Sequence, residues 1–402
     1  MTSLTPAKDI MPPPTERSTV LGWMKKNLFG SIGDTILTFV AGGFLLWLIY
    51  AIVKWIFTTA QWAAVTDNLQ LYMKGQYPAS EDWRLWLLMF LLALVVGLAW
   101  GIFLKRAEAV GWVLLIIPVV LALWLISLHR EAWWKFLVVD VLAILGYFLG
   151  KRYPRKLARP TYILILLYMP LTILIVRGLG ENGFMKLVPT NLWGGLLLSL
   201  LLAIFGIVFS FPIGVLLALG RQSKMPALKM LSVIYIELIR GVPLITLLFM
   251  GQLMLPFFLP AGITIDRVIR ATVAIIMFAA AYMAENVRGG LQSIPKGQYE
   301  AADVVGLSGW QKMVFIILPQ ALRAVIPVLV GQFIGLFKDT SLVALVGLLD
   351  LLGIARGILA NPNYIGRQLE VFAFIAMIYW VFSYGMSYAS GRLETSLGVG
   401  ER

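Results

Sequence analysis

Apolar runs long enough to cross a bilayer recur from one end of this chain to the other, and nothing constrains its folding more. A hydrocarbon layer of ~30 Å takes ~20 helical residues. The runs Ile36–Phe57, Leu85–Leu104, Ala109–Leu128, Phe136–Leu149 and Thr161–Val176 come first. After a polar stretch follow Leu192–Leu219, Met230–Leu259, Val268–Ala284, Ala324–Leu349 and Val371–Ala389. The expected fold is all-α: a polytopic membrane protein with about ten transmembrane helices. Composition agrees. Of 402 residues, 60% are hydrophobic and 13% charged, against roughly 25% charged in soluble domains. A soluble fold of this length has too little interior for that much apolar surface. A soluble enzyme, a secreted disulfide scaffold and a disordered regulator are excluded.

Residues 1–35 read as a cytoplasmic tail, with Pro12-Pro13-Pro14 and then a short interfacial helix bearing Lys25-Lys26. The first apolar run is too long for a signal-peptide core and has no small-residue cleavage site close behind it, so it is read as a retained span. The formal net charge is +13. In a membrane protein such an excess collects in cytoplasmic loops, so no nucleic-acid partner is expected. Placing both termini in the cytoplasm puts Lys and Arg inside over outside by about two to one. With no Cys and one His, His129, neither a disulfide nor a metal site is expected.

The chain divides near residues 178–190. Residues 36–178 form an accessory region of about five spans with few polar residues inside the membrane; Lys54 and Asp140 lie near interfaces, where they can snorkel. The second half holds the charges within spans: Glu237, Arg240, Lys338 and Asp339. It also holds the longest cytoplasmic loop. There Pro295 suits a helix start and Gly306 a helix end. Glu300 and Asp303 sit where a helix dipole favours negative charge, and Ala301-Ala302 leave a flat side that fits a groove on a partner. A second short helix, Trp310 to Leu318, is expected to end at Pro319.

Glu300-Ala301-Ala302, three residues, Gly306, nine residues, then Ile316-x-Leu318-Pro319 resemble the EAA loop of the membrane subunits of binding-protein-dependent ABC importers. Arg240-Gly241-Val242-Pro243-Leu244, Ala281-Tyr282-Met283-Ala284-Glu285, Arg288-Gly289-Gly290, Ile294-Pro295-Lys296-Gly297-Gln298, Leu318-Pro319-Gln320-Ala321 and Lys338-Asp339-Thr340-Ser341-Leu342 are similar to the polar amino acid subfamily. Leu352-Gly353-Ile354-Ala355-Arg356, Ala360-Asn361-Pro362 and Gly75-Gln76-Tyr77-Pro78 resemble general L-amino acid permeases of the AapM/BztC type. The resemblance implies a five-helix type I importer core over 190–392, with its coupling helix in the loop 294–320. It implies a homologous permease as heterodimer partner, two ATP-binding subunits, a periplasmic amino acid-binding protein docking on outer loops that include 350–369, and a bacterial inner membrane. By the matched motif, coupling falls to Glu300, Ala301, Ala302, Gly306, Ile316, Leu318 and Pro319. No cofactor is expected in this chain: ATP and Mg would sit on the partner ATPase, since the sequence has no G-x-x-x-x-G-K-[ST].

An amino acid zwitterion needs a cation for its carboxylate and an anion or carbonyl for its ammonium, and charges within spans are functional candidates by default. Glu237 and Arg240, three residues apart, are expected to pair on one helix face. Arg240 lies ~17 Å along the helix from Lys229, and Lys338 ~18 Å from Asp350, which puts both near mid-membrane. Lys338 and Asp339 point in different directions and each needs another partner. The opposing reading is that all four brace helices and the subunit interface. Gln252, Gln332 and Asn286 are weaker candidates, each read as helix packing before substrate contact. Glu285 and Arg288 are read as a snorkelled surface pair. The rival classes fit less well. A secondary transporter wants ion-coupling carboxylates free of basic neighbours and an internal repeat. A membrane enzyme wants a His, Cys or carboxylate cluster.

Overall fold

The computed structural model describes residues 20–103, 115, 118–119, 121–123, 132–180 and 183–397. The expected span Ala109–Leu128 lies largely outside them, and His129 wholly so. Among the described residues eight helices are long and apolar enough to cross a membrane, or nine when one bent pair is counted as a single span. The chain forms two compact units, 1–62 and 63–402.

The first unit holds α1 (Val20–Asn27) and α2 (Ile32–Lys54). The Ser31 hydroxyl accepts from the Asp34 amide and starts α2. No residue of the span from Ile32 to Thr59 is buried, as suits a helix that is apolar on all sides and solvated by lipid.

The second unit opens with two short helices, α3 (Ala63–Thr66) and α4 (Leu69–Lys74), then α5 (Asp82–Phe103), α6 (Trp133–Arg152) and α7 (Pro154–Arg177). Helices α5 and α6 run parallel in near backbone contact. A Cβ added at Gly97 would fall 2.1 Å from the Ala143 carbonyl, and one at Gly146 2.5 Å from that of Leu94. Glycines spaced by four on both partners, with Gly101 and Gly150, make that approach possible. Asp140 does not snorkel. It is buried on α6, and neither carboxyl oxygen has a hydrogen-bond partner among the described residues; close packing of α6 against its neighbour leaves it no route to water.

The remaining helices are α8 (Gly195–Arg221), α9 (Pro226–Arg240), α10 (Leu244–Phe249), α11 (Arg267–Ser293), α12 (Lys296–Val304), α13 (Leu318–Asp339), α14 (Leu351–Leu359) and α15 (Gln368–Leu397). Helices α8 and α11 run parallel, because Ile275 meets Gly206 and Met283 meets Gly214. Helix α13 runs the other way, its Ala321 against Gly290 and its Gln332 amide donating to the Ala279 carbonyl at 2.8 Å. Two apolar clusters fill the space between them. One gathers Leu198, Leu244, Leu248, Ile275, Leu336 and Val343, and the other Ile236, Met283, Leu291, Ile317 and Ala321.

The run 230–259 does not cross as one rod. Helix α9 and the segment that begins with α10 meet at 101° across Gly241-Val242-Pro243. Proline supplies no amide to continue α9, and the break takes the direction with it.

Helices α3 and α4 sit at the start of α8. Gly75 has φ +64°, and a Cβ there would fall 2.4 Å from the Gly194 Cα, so only glycine lets the two backbones meet. Tyr72 is buried edge-on to Phe374 with ring centroids 5.1 Å apart, and the Tyr77 hydroxyl donates to the Val176 carbonyl at 2.9 Å. The insert therefore marks one end of the bundle, and the loop 294–320 the other.

Candidate functional site

The loop between α11 and α13 is built on a nine-residue helix, α12. Pro295 caps its start, and Gly306, at φ +80°, turns the chain just past its end. Being so short, α12 places Asp303 in its last turn, not its first; the charge is met by Lys312 at 2.5 Å. Ala302 is buried, while Glu300, Ala301 and Gly306 are exposed. The two alanines thus do not form one flat face: consecutive residues point about 100° apart around a helix, so only Ala301 is presented outward. Pro319 does not end a helix. After a capping box at Ser308 and Gln311, a π-helical stretch Lys312–Ile317 runs directly into α13. Proline is tolerated there because the π-helical turn has already broken the i to i−4 amide ladder at this junction. Ile316 and Leu318 are half-buried.

The loop is fastened to α11. The Tyr299 hydroxyl donates to the Leu291 carbonyl at 3.2 Å, and burial pushes that phenol up from its ordinary pKa. Tyr299, Met313, Ile316 and Leu318 pack on the cluster that holds Met283, Ala284, Val287 and Leu291. What stays uncovered is apolar: Val304, Val305, Trp310 and Phe315 are all exposed. Sequence reasoning missed these four. The available signal was four large apolar side chains in a loop that is not a span.

Behind the loop lies an ion cluster that the sequence reading assembled incorrectly. Glu237 and Arg240 do not pair. Glu237 accepts from Arg221, the last residue of α8, at 3.0 Å. Arg240 instead lies 3.7 Å from Glu285 and over the Tyr282 ring, 5.5 Å from its centroid. Glu285 also accepts from Arg221 at 3.2 Å and from Arg288. The expected pairing assumed that α9 climbs beside α8. Leu228 and Ser232 face Gly220 while Glu237 reaches Arg221, so residues ~13 Å apart along α9 meet the last two residues of α8. Helix α9 crosses the end of α8, and Arg240 sits at the loop end of the bundle, not at its middle. Glu285 and Arg288 are half-buried partners in this cluster rather than an isolated surface pair.

The other path candidates separate into two kinds. The Gln332 side chain accepts from Asn286 at 2.6 Å and donates to the Ala279 carbonyl, which ties α11 to α13. Gln252 is buried and donates to the Arg267 carbonyl at 2.5 Å, with its side-chain oxygen unpartnered. Lys338 is exposed and Asp339 half-buried at the last turn of α13, and neither side chain has a hydrogen-bond or ion-pair partner among the described residues. Lys338 and Asp339 are thus the path candidates without a partner among the described residues, while Arg240 is held by Glu285 and Tyr282.

Residues 210–398 match the family of binding-protein-dependent transport system inner membrane components. The chain is 38% identical over 401 residues to the inner membrane amino-acid ABC transporter permease protein YhdY of Escherichia coli (strain K12), covering 95% of this chain and 94% of that one. It is 37% identical over 419 residues to the glutamate/glutamine/aspartate/asparagine transport system permease protein BztC of Rhodobacter capsulatus, covering 96% and 95%. A crystal structure of an amino acid ABC transporter with histidines matches at 31% identity and a TM-score of 0.46, over 50% of this chain and 92% of that chain.

Proposed function

The chain belongs to the inner membrane components of binding-protein-dependent transport systems, as a permease of an amino-acid ABC transporter, and on that premise we propose that it forms the path for L-amino acids of polar or general range and couples that path to a separate ATPase subunit. The observation that carries this reading is the loop 294–320. It presents Glu300, Ala301 and Gly306 beside an exposed apolar rim of Val304, Val305, Trp310 and Phe315. Large apolar groups on a polar loop favour a partner that covers them. The partner is an ATP-binding subunit, since this sequence lacks a phosphate-binding loop of its own. Glu300, Ala301 and Gly306 then make the contact, while Ala302, Ile316, Leu318 and Pro319 hold the loop in shape.

The division of labour follows. Residues 1–35 are a cytoplasmic tail, 36–178 an accessory membrane region and 190–392 the importer core. A homologous permease faces this core as its heterodimer partner. Two ATP-binding subunits sit on the loop end, and an extracytoplasmic amino acid-binding protein docks at the insert end. Both termini are cytoplasmic, in a bacterial inner membrane. The substrate's carboxylate is met by Lys338 or, at the loop end, by Arg240, and its ammonium by Asp339. Gln252 and Gln332 serve the path only by holding the helices around it.

A crosslink tests the central claim. A photoreactive group placed at Ala301 is expected to capture an ATP-binding subunit in the detergent-solubilised complex. Gly306→Asp is expected to insert and assemble but to lose most ATP-driven uptake. An adduct that never contains an ATPase, or uptake by the purified chain alone, overturns the reading.

A further inference from the structure

The ion cluster behind the loop is asymmetric. Three arginines from three helices, Arg221 of α8, Arg240 of α9 and Arg288 of α11, converge on Glu285. Arg221 has Glu237 as a second carboxylate. Arg240 has no second one among the described residues. Among them its only anionic contact is Glu285 at 3.7 Å, the longest in the cluster, and its Nε is buried without a hydrogen-bond partner. Its other support is the Tyr282 ring. Tyr282 and Glu285 are three residues apart on α11, so they share one face, and a single helix grips the guanidinium from two sides.

That helix is also the one the loop is fastened to. From Glu285 it is ~12 Å along α11 to Ser293, and α12 begins three residues later. The Tyr299 hydrogen bond to Leu291 and the packing of Ile294, Tyr299 and Met313 on Val287 and Leu291 make α12 and the end of α11 one packed body. Arg240 stands on the other body, the last residue before the 101° break. We infer that Glu285 is a positioning residue for Arg240: it parks the guanidinium against α11 while the loop is at rest and surrenders it to the path when α12 carries α11 away. Two of the three contacts leave α11, those from Arg221 and Arg240, and the one to Arg240 is the longer; Arg288 travels with Glu285 on the same helix. Movement of α11 relative to α9 therefore breaks Arg240–Glu285 before it breaks Arg288–Glu285. Released, Arg240 is an unpaired cation at the bend, suited to a substrate carboxylate.

This role rests on the importer reading. It is tested in proteoliposomes holding the complete complex of this chain, its partner permease, the ATPase and the binding protein. The readouts are ATP hydrolysis with and without binding protein, and uptake of radiolabelled L-glutamate per ATP hydrolysed. Glu285→Gln is expected to leave the complex assembled, to make hydrolysis nearly independent of binding protein, and to lower uptake per ATP about tenfold, the size of a typical coupling free energy. Glu285→Asp is expected to restore coupling in large part, because it keeps the charge. Arg240→Gln should uncouple to the same degree, and the double variant should be no worse than either single one. Should Glu285→Gln fail to assemble, Arg240→Gln decides the matter, with intact assembly and lost coupling expected. Wild-type uptake per ATP in either variant, or losses that multiply in the double variant, would overturn the inference. A wild-type complex whose hydrolysis ignores the binding protein would instead overturn the importer reading.

Discussion

Asp350 shows how much a single buried carboxylate can ask of this fold. It lies between α13 and α14, fully buried, and its two oxygens accept from the Leu352 and Gly353 amides at 3.2 and 2.9 Å as the N-cap of α14. Burial is the larger influence, and it pushes the carboxyl from 3.8 up to about 7 despite those amides and Arg356. The raised value means that the folded chain binds the proton more tightly than the unfolded chain does. The associated stability is complete below pH ~4 and is lost as pH rises through about 7. The span of that change is on the order of 4 kcal/mol. Asparagine caps a helix about as well as aspartate. Asp350→Asn is therefore expected to keep the fold, to raise Tm at pH 8, and to flatten the fall of Tm between pH 5 and 8, measured by intrinsic tryptophan fluorescence. A variant that follows the wild-type pH profile would show that Asp350 does not set it. The sequence offers no sign of this residue's burden, because it lies outside every apolar run. Arg221 hid for the opposite reason: it resembled ordinary loop charge, and only the packing of α9 and α11 on α8 brings it to Glu237 and Glu285.

At the scale of elements, apolar length alone located most of the spans, because crossing lipid sets one helix length irrespective of what the helix packs against. Packing was less visible. Met230–Leu259 reads as one span with two prolines in it, and the 101° turn depends on α9 lying across α8, a tertiary contact. The loop helix was legible from Pro295 and Gly306, whose backbone preferences are local; the inward turn of Ala302 was not. The pairing of α5 with α6 left a trace that length counting passes over, the spacing Gly97/Gly101 and Gly146/Gly150. Lipid offers little hydrophobic drive between helices, so contact of this kind is the main source of association. Gly97→Leu should force α5 from α6 and destabilise by about 2 kcal/mol or more. Gly42→Leu on α2, where an added Cβ meets nothing within 4 Å, should change stability by less than ~0.5 kcal/mol. Thermal melting of the two variants side by side checks this, and equal losses would mean that the α5–α6 approach is not needed.

For the molecule as a whole, fold and charge make separate statements that one labelling experiment can divide. Helix α8 is 27 residues long, ~40 Å. Its start carries the insert through Gly75 and Gly194, and the Tyr364 hydroxyl, beside Asn363, reaches Asp67 of that insert at 3.4 Å. Its far end carries Arg221 and, through Glu285, the helix that leads into Gly297. Asn363 and Gly297 must therefore face opposite sides of the bilayer whatever the sign of the orientation. The sign comes from elsewhere: the Lys and Arg excess of the segments on the loop side supports the proposal that this side faces the cytoplasm. Because the chain has no cysteine, Asn363→Cys and Gly297→Cys each give a single reactive site. In intact bacterial cells a membrane-impermeant maleimide is expected to label Asn363→Cys at once, and Gly297→Cys only after permeabilisation. Labelling of both from outside would contradict the fold. A clean reversal would leave the fold standing but would put the loop 294–320 on the side without ATP, and no ATPase could then grip it.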